Sequence, residues 1–312
     1  MAHNAILKIN PIVWASTLQK DLANATDEGY FGPSSMMWRI HQEAVVGFGI
    51  PRAVLMQIAH PWVAQAVIDH STWDTQPCAR LLGTVGSAAV LTFGSRAQAD
   101  AVARRLNSMH ARITGELPED VGKWRRGTRY RADEPHALLW VLTTLIDTAL
   151  CMYESCFGSL STADERAYIA DAGQLGELLG LPRELVPPDR AALNDYMQRV
   201  MHDGTIAVGT AGRELQGGLD AMRIPELGPA YSIYHRASAA VARMTLPNPI
   251  RQQFGIAPGP ARALTYHWGG RAASAFIRRL PDRIRTDPLT RPARIRHKDD
   301  GGRQPGSLAR GA

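Results

Sequence analysis

Histidine in apolar surroundings is the residue type with the most chemistry to offer in this chain. In Gln57-Ile58-Ala59-His60-Pro61-Trp62-Val63, His60 stands directly before a proline, whose ring pushes the preceding backbone out of the helical region. A helix breaks at such a point, and the break either aims the imidazole inward or leaves it to cap the interruption. His70-Ser71, ahead of the polar Trp73-Asp74, would sit about 80° round a continuous helix from His60 and reads as a helix end or surface position. His110 follows Leu106 by four residues and Ala103 by seven, which sets it on the core side of a helix. An imidazole there is either a satisfied core histidine or a metal ligand whose second nitrogen is fixed by an acceptor. Arg80 and Thr84 stand at i and i+4 and share a helix face. Together they hold a carboxylate or a bound oxygen species, or else belong to a surface ion pair. His41, beside Gln42-Glu43, and His136, His202, His235 and His267 show no comparable arrangement.

Whole reaction classes lose their usual support. There is no GxxxxGK[ST], HExxH or GxSxG, and Gly47-Phe48-Gly49 starts like a dinucleotide loop but lacks the third glycine and a preceding strand. Three cysteines, Cys78, Cys151 and Cys156, match no CxxC pattern, which argues against a disulfide framework or a thiolate zinc site. The 312 residues are 45% hydrophobic and 21% charged, an ordinary globular balance. The formal charge of +6 arises wholly from the segment after Ile277, with ten basic and four acidic residues, so the remainder is neutral with 25 of each sign. A nucleic-acid reader needs its basic residues on a folded surface, and no nucleic-acid partner is expected.

The elements that must position these residues read as helices, since strand-like alternation hardly occurs. Ser95 to Ile113 is the clearest: Ser95 and Gln98 form a capping box, Val102, Leu106, Met109 and Ile113 make a stripe, and Gly115 stops it. Others are expected over Ser35–Phe48, Ala53–Ile68 with a disturbance at Pro61, Ala79–Thr92, Asp133–Phe157, Ser161 to Gly180, Asp189–His202, Pro225–Met244 and Pro258–Leu280. Within Asp133–Phe157, the run Ala137 to Leu142 is apolar all round, the mark of a central helix. Ala44–Ile68 is long enough to cross a bilayer but contains Arg52, two prolines and His60, so burial in a helical core is the better reading. The first residues show no clean signal peptide, and a cytoplasmic chain is expected. The division is an N-terminal extension (1–34), one helical domain (35–281) and a basic tail (282–312) expected to be mobile.

As a set, the segments resemble a known family. Gln57-x-Ala59-His60-Pro61-x-Val63-Ala64, His70-Ser71, Arg80-Leu81-x-x-Thr84, Phe93-Gly94 and His110-Ala111-Arg112-Ile113-x-Gly115 follow in one order. They are joined by Tyr130-x-Ala132, Leu139-Trp140-Val141, Leu178 to Pro182, Leu246-Pro247 and Phe254-Gly255. Together they are similar to the MpaB-type oxygenases, relatives of the latex clearing proteins, from about Trp38 to Pro281. The resemblance implies an all-α domain with a globin-like core holding haem b, and a reaction in which O₂ oxidises or cleaves an apolar substrate. It implies His110 as the iron ligand, with Arg80 and Thr84 bordering the pocket. The relatives carry a lysine before that threonine, where this chain has Gly83. Lysine ligation from this position is excluded, and the distal site is either open or filled by another group, with His60 as the candidate and a role in polarising dioxygen or handling protons. Leu142 stands where a histidine is expected in the family. The partners implied are a hydrophobic small molecule and O₂, with no transmembrane segment and only peripheral membrane contact. The alternatives are a helical haem- or lipid-binding sensor without turnover, and a cofactor-free interaction protein with a basic tail.

Overall fold

Caps and prolines set most of the helix starts. The computed structural model describes residues 10–256 and 276–300, with side chains through Ile295. The first helices are α1 (Pro11–Ala23), α2 (Met36–His41), α3 (Ala44–Gly47), α4 (Ile50–Ile58), α5 (Pro61–His70) and α6 (Pro77–Phe93). Next come α7 (Arg96–His110), a hairpin of β1 (Thr114–Glu116) and β2 (Arg129–Arg131), and α8 (Pro135–Phe157). The chain continues with α9 (Thr162–Leu178), α10 (Arg190–His202), α11 (Thr210–Ala221), α12 (Gly228–Thr245) and α13 (Asn248–Gln253). Beyond the undescribed stretch lie α14 (Asp282–Arg285) and α15 (Arg291–Asp300). The capping box opens α7 as expected: Gln98 N–H donates to Ser95 Oγ at 3.3 Å and Ser95 N–H to Gln98 Oε1 at 2.8 Å. Pro135 opens α8, where its missing N–H costs nothing.

The fold is all-α around α8, on which α2, α3, α4, α9 and α10 pack. Leu139, Trp140, Leu142, Ile146, Ala149 and Leu150 of α8 are all buried in the main core. By length and composition alone α8 could cross a membrane, and 61% of its most apolar stretch is buried inside the protein. Arg52, 3% exposed, is a charged side chain within the core. Its Nη2 pairs with Asp147 Oδ2 at 2.6 Å, its Nη1 donates to Thr148 Oγ1 at 2.7 Å and its Nε to the Thr245 carbonyl at 3.2 Å. Those bonds satisfy the guanidinium and tie α4, α8 and α12 together.

Several elements differ from expectation, each through contacts made far away in sequence. The helix expected over Ser35–Phe48 is split at Gln42-Glu43, because the Gln42 carbonyl accepts from the Asp287 N–H at 2.9 Å and Glu43 bridges Thr286. The helix expected to reach Ile113 ends at His110, and Gly115 lies in β1 opposite Tyr130, whose ring occupies the space a Cβ would need. α1 lies within the expected extension, and α11 was not foreseen. The expected tail is ordered in its described part. Thr286, Thr290 and Ala293 are buried, and Arg285 Nε pairs with Glu43 Oε2 at 3.0 Å. The expected helix over Pro258–Leu280 lies outside the described residues as far as residue 275.

The centrality of α8 has a measurable consequence. Trp140 is 1% exposed and donates its indole N–H to the Met56 carbonyl at 3.0 Å. Trp140→Ala is expected to cost about 3–5 kcal/mol in urea unfolding followed by circular dichroism. A loss under about 0.5 kcal/mol would mean that the position is not in the core.

Candidate functional site

One face of α6 is left unpacked by neighbouring helices. Pro77, Arg80, Leu81, Thr84, Val85 and Ala88 recur at helical spacing and line a cavity of about 420 Å³. Val46, Gly49 and Val54 close it from α3 and α4, Leu145 and Ala149 from α8, Leu215 and Leu219 from α11. The volume falls within the range of sites for small organic ligands, and most of the wall is aliphatic. Its ionisable side chains are Arg80, His41, Tyr231, His235 and Asp287.

Arg80 and Thr84 are brought together as their spacing implied. Arg80 Nη1 donates to Thr84 Oγ1, Thr84 Oγ1 donates to the Arg80 carbonyl at 2.9 Å, and Arg80 Nε donates to Ser71 Oγ at 3.2 Å. Burial lowers the Arg80 pKa from its ordinary value.

His110 is the last residue of α7 and half-buried. Its Nδ1 is shut away from solvent with no hydrogen-bond partner. Burial lowers its pKa, the charge of Arg80 lowers it further, and Asp133 opposes both. The ring is thus held neutral close enough to feel Arg80, although it does not line the 420 Å³ cavity. His60 is placed differently. It N-caps α5, its Nδ1 accepting the Trp62 N–H at 3.2 Å, and lies against the rings of Trp62 and Trp124 at 6.1 and 5.9 Å. It is outside the cavity lining. Burial, aided by Lys123, pushes its pKa down to about 3. His70 ends α5 and donates Nε2–H to the Thr114 carbonyl at 3.1 Å, holding the hairpin.

Two cavity histidines, His41 and His235, were not singled out from the sequence. His41 Nε2 shares a hydrogen bond of 2.9 Å with the Tyr168 hydroxyl, and burial pushes its pKa down to about 4. His235 Nε2–H donates to the Leu219 carbonyl at 3.1 Å, and its ring stacks on Tyr231 at 5.9 Å. The i, i+4 spacing of Tyr231 and His235 was the available clue.

Among the described residues no group of three or more His, Cys, Asp or Glu is placed to hold a metal ion. A haem iron asks for a single imidazole, and His110 fits that donor chemistry: it is held neutral and its buried Nδ1 is unclaimed.

The sequence model of the family described as "ER-bound oxygenase mpaB/B'/Rubber oxygenase, catalytic domain" matches residues 38–278. The chain belongs to this oxygenase family. Two uncharacterised relatives, from Mycobacterium bovis and Mycobacterium tuberculosis, are each 27% identical over 176 residues. The match covers 55% of this chain and 66% of each relative, just under two thirds of their length. No solved structure matches the chain. The oxygenase domain contains Arg80, Thr84, His60 and His110, whereas Asp287, Leu289 and Thr290 complete the cavity wall from beyond it.

The depressed histidines make the fold acid-sensitive. His41 and His60 stay neutral when folded, with pKa values near 4 and 3 against 6.5 when unfolded. Between about pH 6.5 and 4 the unfolded chain binds more protons, so stability is present above that window and falls as the pH falls through it. The loss is expected to be on the order of 2–3 kcal/mol per ring, read as a falling thermal midpoint. His60→Asn, which keeps an acceptor for the Trp62 N–H, should flatten the slope; an unchanged slope would contradict the neutral assignment.

Proposed function

We propose that this chain is a haem b-dependent oxygenase that uses O₂ to oxidise or cleave an apolar substrate, an alkene, isoprenoid-like chain or apolar biosynthetic intermediate. The observation that supports it best is the buried, unpartnered Nδ1 of His110 within reach of the charge of Arg80, inside a family of oxygenases. A bound b-type haem supplies the redox chemistry with O₂ that an aliphatic substrate requires.

The chain's own residues do the rest. His110 offers a lone pair that burial and the adjacent positive charge keep free of a proton. Arg80 and Thr84 place a guanidinium and a hydroxyl beside a substrate or dioxygen oxygen, where they stabilise developing negative charge. Leu81, Val85, Leu145 and Leu219 exclude water and bind the hydrocarbon by burial. His60, committed to capping α5 and neutral down to about pH 3, is poorly placed to relay protons.

One observation favours a second reading. Neither His110 nor His60 lines the apolar cavity, so the same cavity would serve a lipid- or haem-holding sensor without turnover. Stable spectra of the ligand-bound protein with every alkene tried, and no product, would favour that sensor.

Expression with a haem precursor followed by an absorption spectrum tests the main reading. A Soret band that disappears in His110→Ala while the variant keeps its helical circular dichroism is expected. A protein that stays colourless after added haemin would end the proposal, and full haem retention by His110→Ala would move the ligand elsewhere.

A further inference from the structure

Arg80 carries a positive charge that nothing described neutralises. Three other arginines set into the protein are paired, Arg52 with Asp147 at 2.6 Å, Arg190 with Glu154 at 3.0 Å and Arg285 with Glu43 at 3.0 Å, whereas the buried Arg251 has the Asn248 amide oxygen at 2.7 Å, and Arg80 itself is partly open to solvent. Arg80 forms no ion pair with a described residue, and only its Nε and Nη1 are used, both on hydroxyls. Residues 1–9, 257–275 and 301–312 contain no Asp or Glu side chain. The remaining carboxylates, Asp299 and Asp300, end α15, which packs on α1. Trp14 of α1 meets α6 at Leu82 and Gly86, and Leu82 lies about 200° round that helix from Arg80.

The surroundings favour an anion at this end and hydrocarbon beyond it. α6 begins at Pro77 with no side-chain cap from Gln76 and no acidic residue of its own in its first turn, where Glu226 from outside the helix acts on Cys78. From Pro77 to Phe93 the cavity follows α6 for about 24 Å at 1.5 Å per residue. Past Thr84 that face offers Val85, Ala88 and Ala89, opposed by Val54 and Leu145. A guanidinium with a free Nη2, flanked by two hydroxyls, matches the planar fork of a carboxylate.

We propose that the cavity takes a carboxylate-bearing amphiphile, an extended apolar chain whose carboxylate is held by Arg80, Ser71 and Thr84 and whose tail runs along α6. This names the substrate class of the oxygenase reading and rests on the cavity being its substrate site, but not on the prosthetic group. A fixed head also sets how far along the cavity each carbon reaches, so oxidation would fall at a constant distance from the carboxylate.

The test is calorimetric titration of the full-length chain, purified without added haemin, with palmitate and with 1-hexadecanol. Palmitate is expected to bind at least about tenfold tighter than the alcohol, the scale of one charge-assisted contact. Arg80→Leu should abolish that preference while alcohol binding persists, and Arg80→Lys should keep part of it. Persistent alcohol binding shows that the variant is folded. Equal binding of acid and alcohol by the unsubstituted chain, or binding of neither, overturns the proposal without any variant.

A haem propionate is the other source of such a carboxylate. If Arg80→Leu loses haemin uptake, read as the Soret band, but still prefers palmitate, the guanidinium serves the propionate and the proposal is overturned. A chain that never takes up haemin yet prefers palmitate through Arg80 sinks the haem reading and leaves this one standing.

Discussion

Burying a guanidinium is costly unless its donors are matched, and Arg52 organises the molecule around that requirement. Its three partners come from α8 and α12, so matching it fixes where those helices stand relative to α4. All three elements contribute to the cavity through Val54, Ala149 and Tyr231. The charge that is fully answered therefore builds the walls, and the charge left unanswered, Arg80, faces the space between them. Breaking the first pair would strand Asp147 and Arg52 in the core. Substituting the second changes what the cavity attracts.

The histidines sort by what holds their second nitrogen. His70, His202 and His235 each donate a ring N–H to a backbone carbonyl, and His60 accepts a backbone N–H as a cap. Such bonds fix a ring as part of the scaffold. His41 is engaged by a tyrosine hydroxyl, whereas His110 leaves a buried nitrogen unclaimed. Orphaned buried polar atoms cost free energy, and the one at His110 is the observation on which the proposed haem site rests.

What could be read from the chain was what depends on neighbours in sequence. The capping box at Ser95, Pro135 at the head of α8, the caps at Ser161 and Asp189, and the shared face of Arg80 and Thr84 all involve residues within one turn. The apolar run from Ala137 marked the central helix for the same reason. The break at Gln42-Glu43, the hairpin at Gly115 and the cavity positions of His41 and His235 depend on residues that the local pattern does not contain. His60 shows the limit well. Its proline foretold the helix break, but whether the ring would cap or point inward was decided by Trp62 and Trp124 closing around it.

The strap at Thr286 to Thr290 has a bearing on biosynthesis. It is the last part of the described wall to be made, some 245 residues after Gln42, whose carbonyl it bonds. While the ribosome is still translating, α2 to α12 can assemble with one flank of the hollow uncovered. The hollow therefore acquires that flank only once synthesis has passed Thr290.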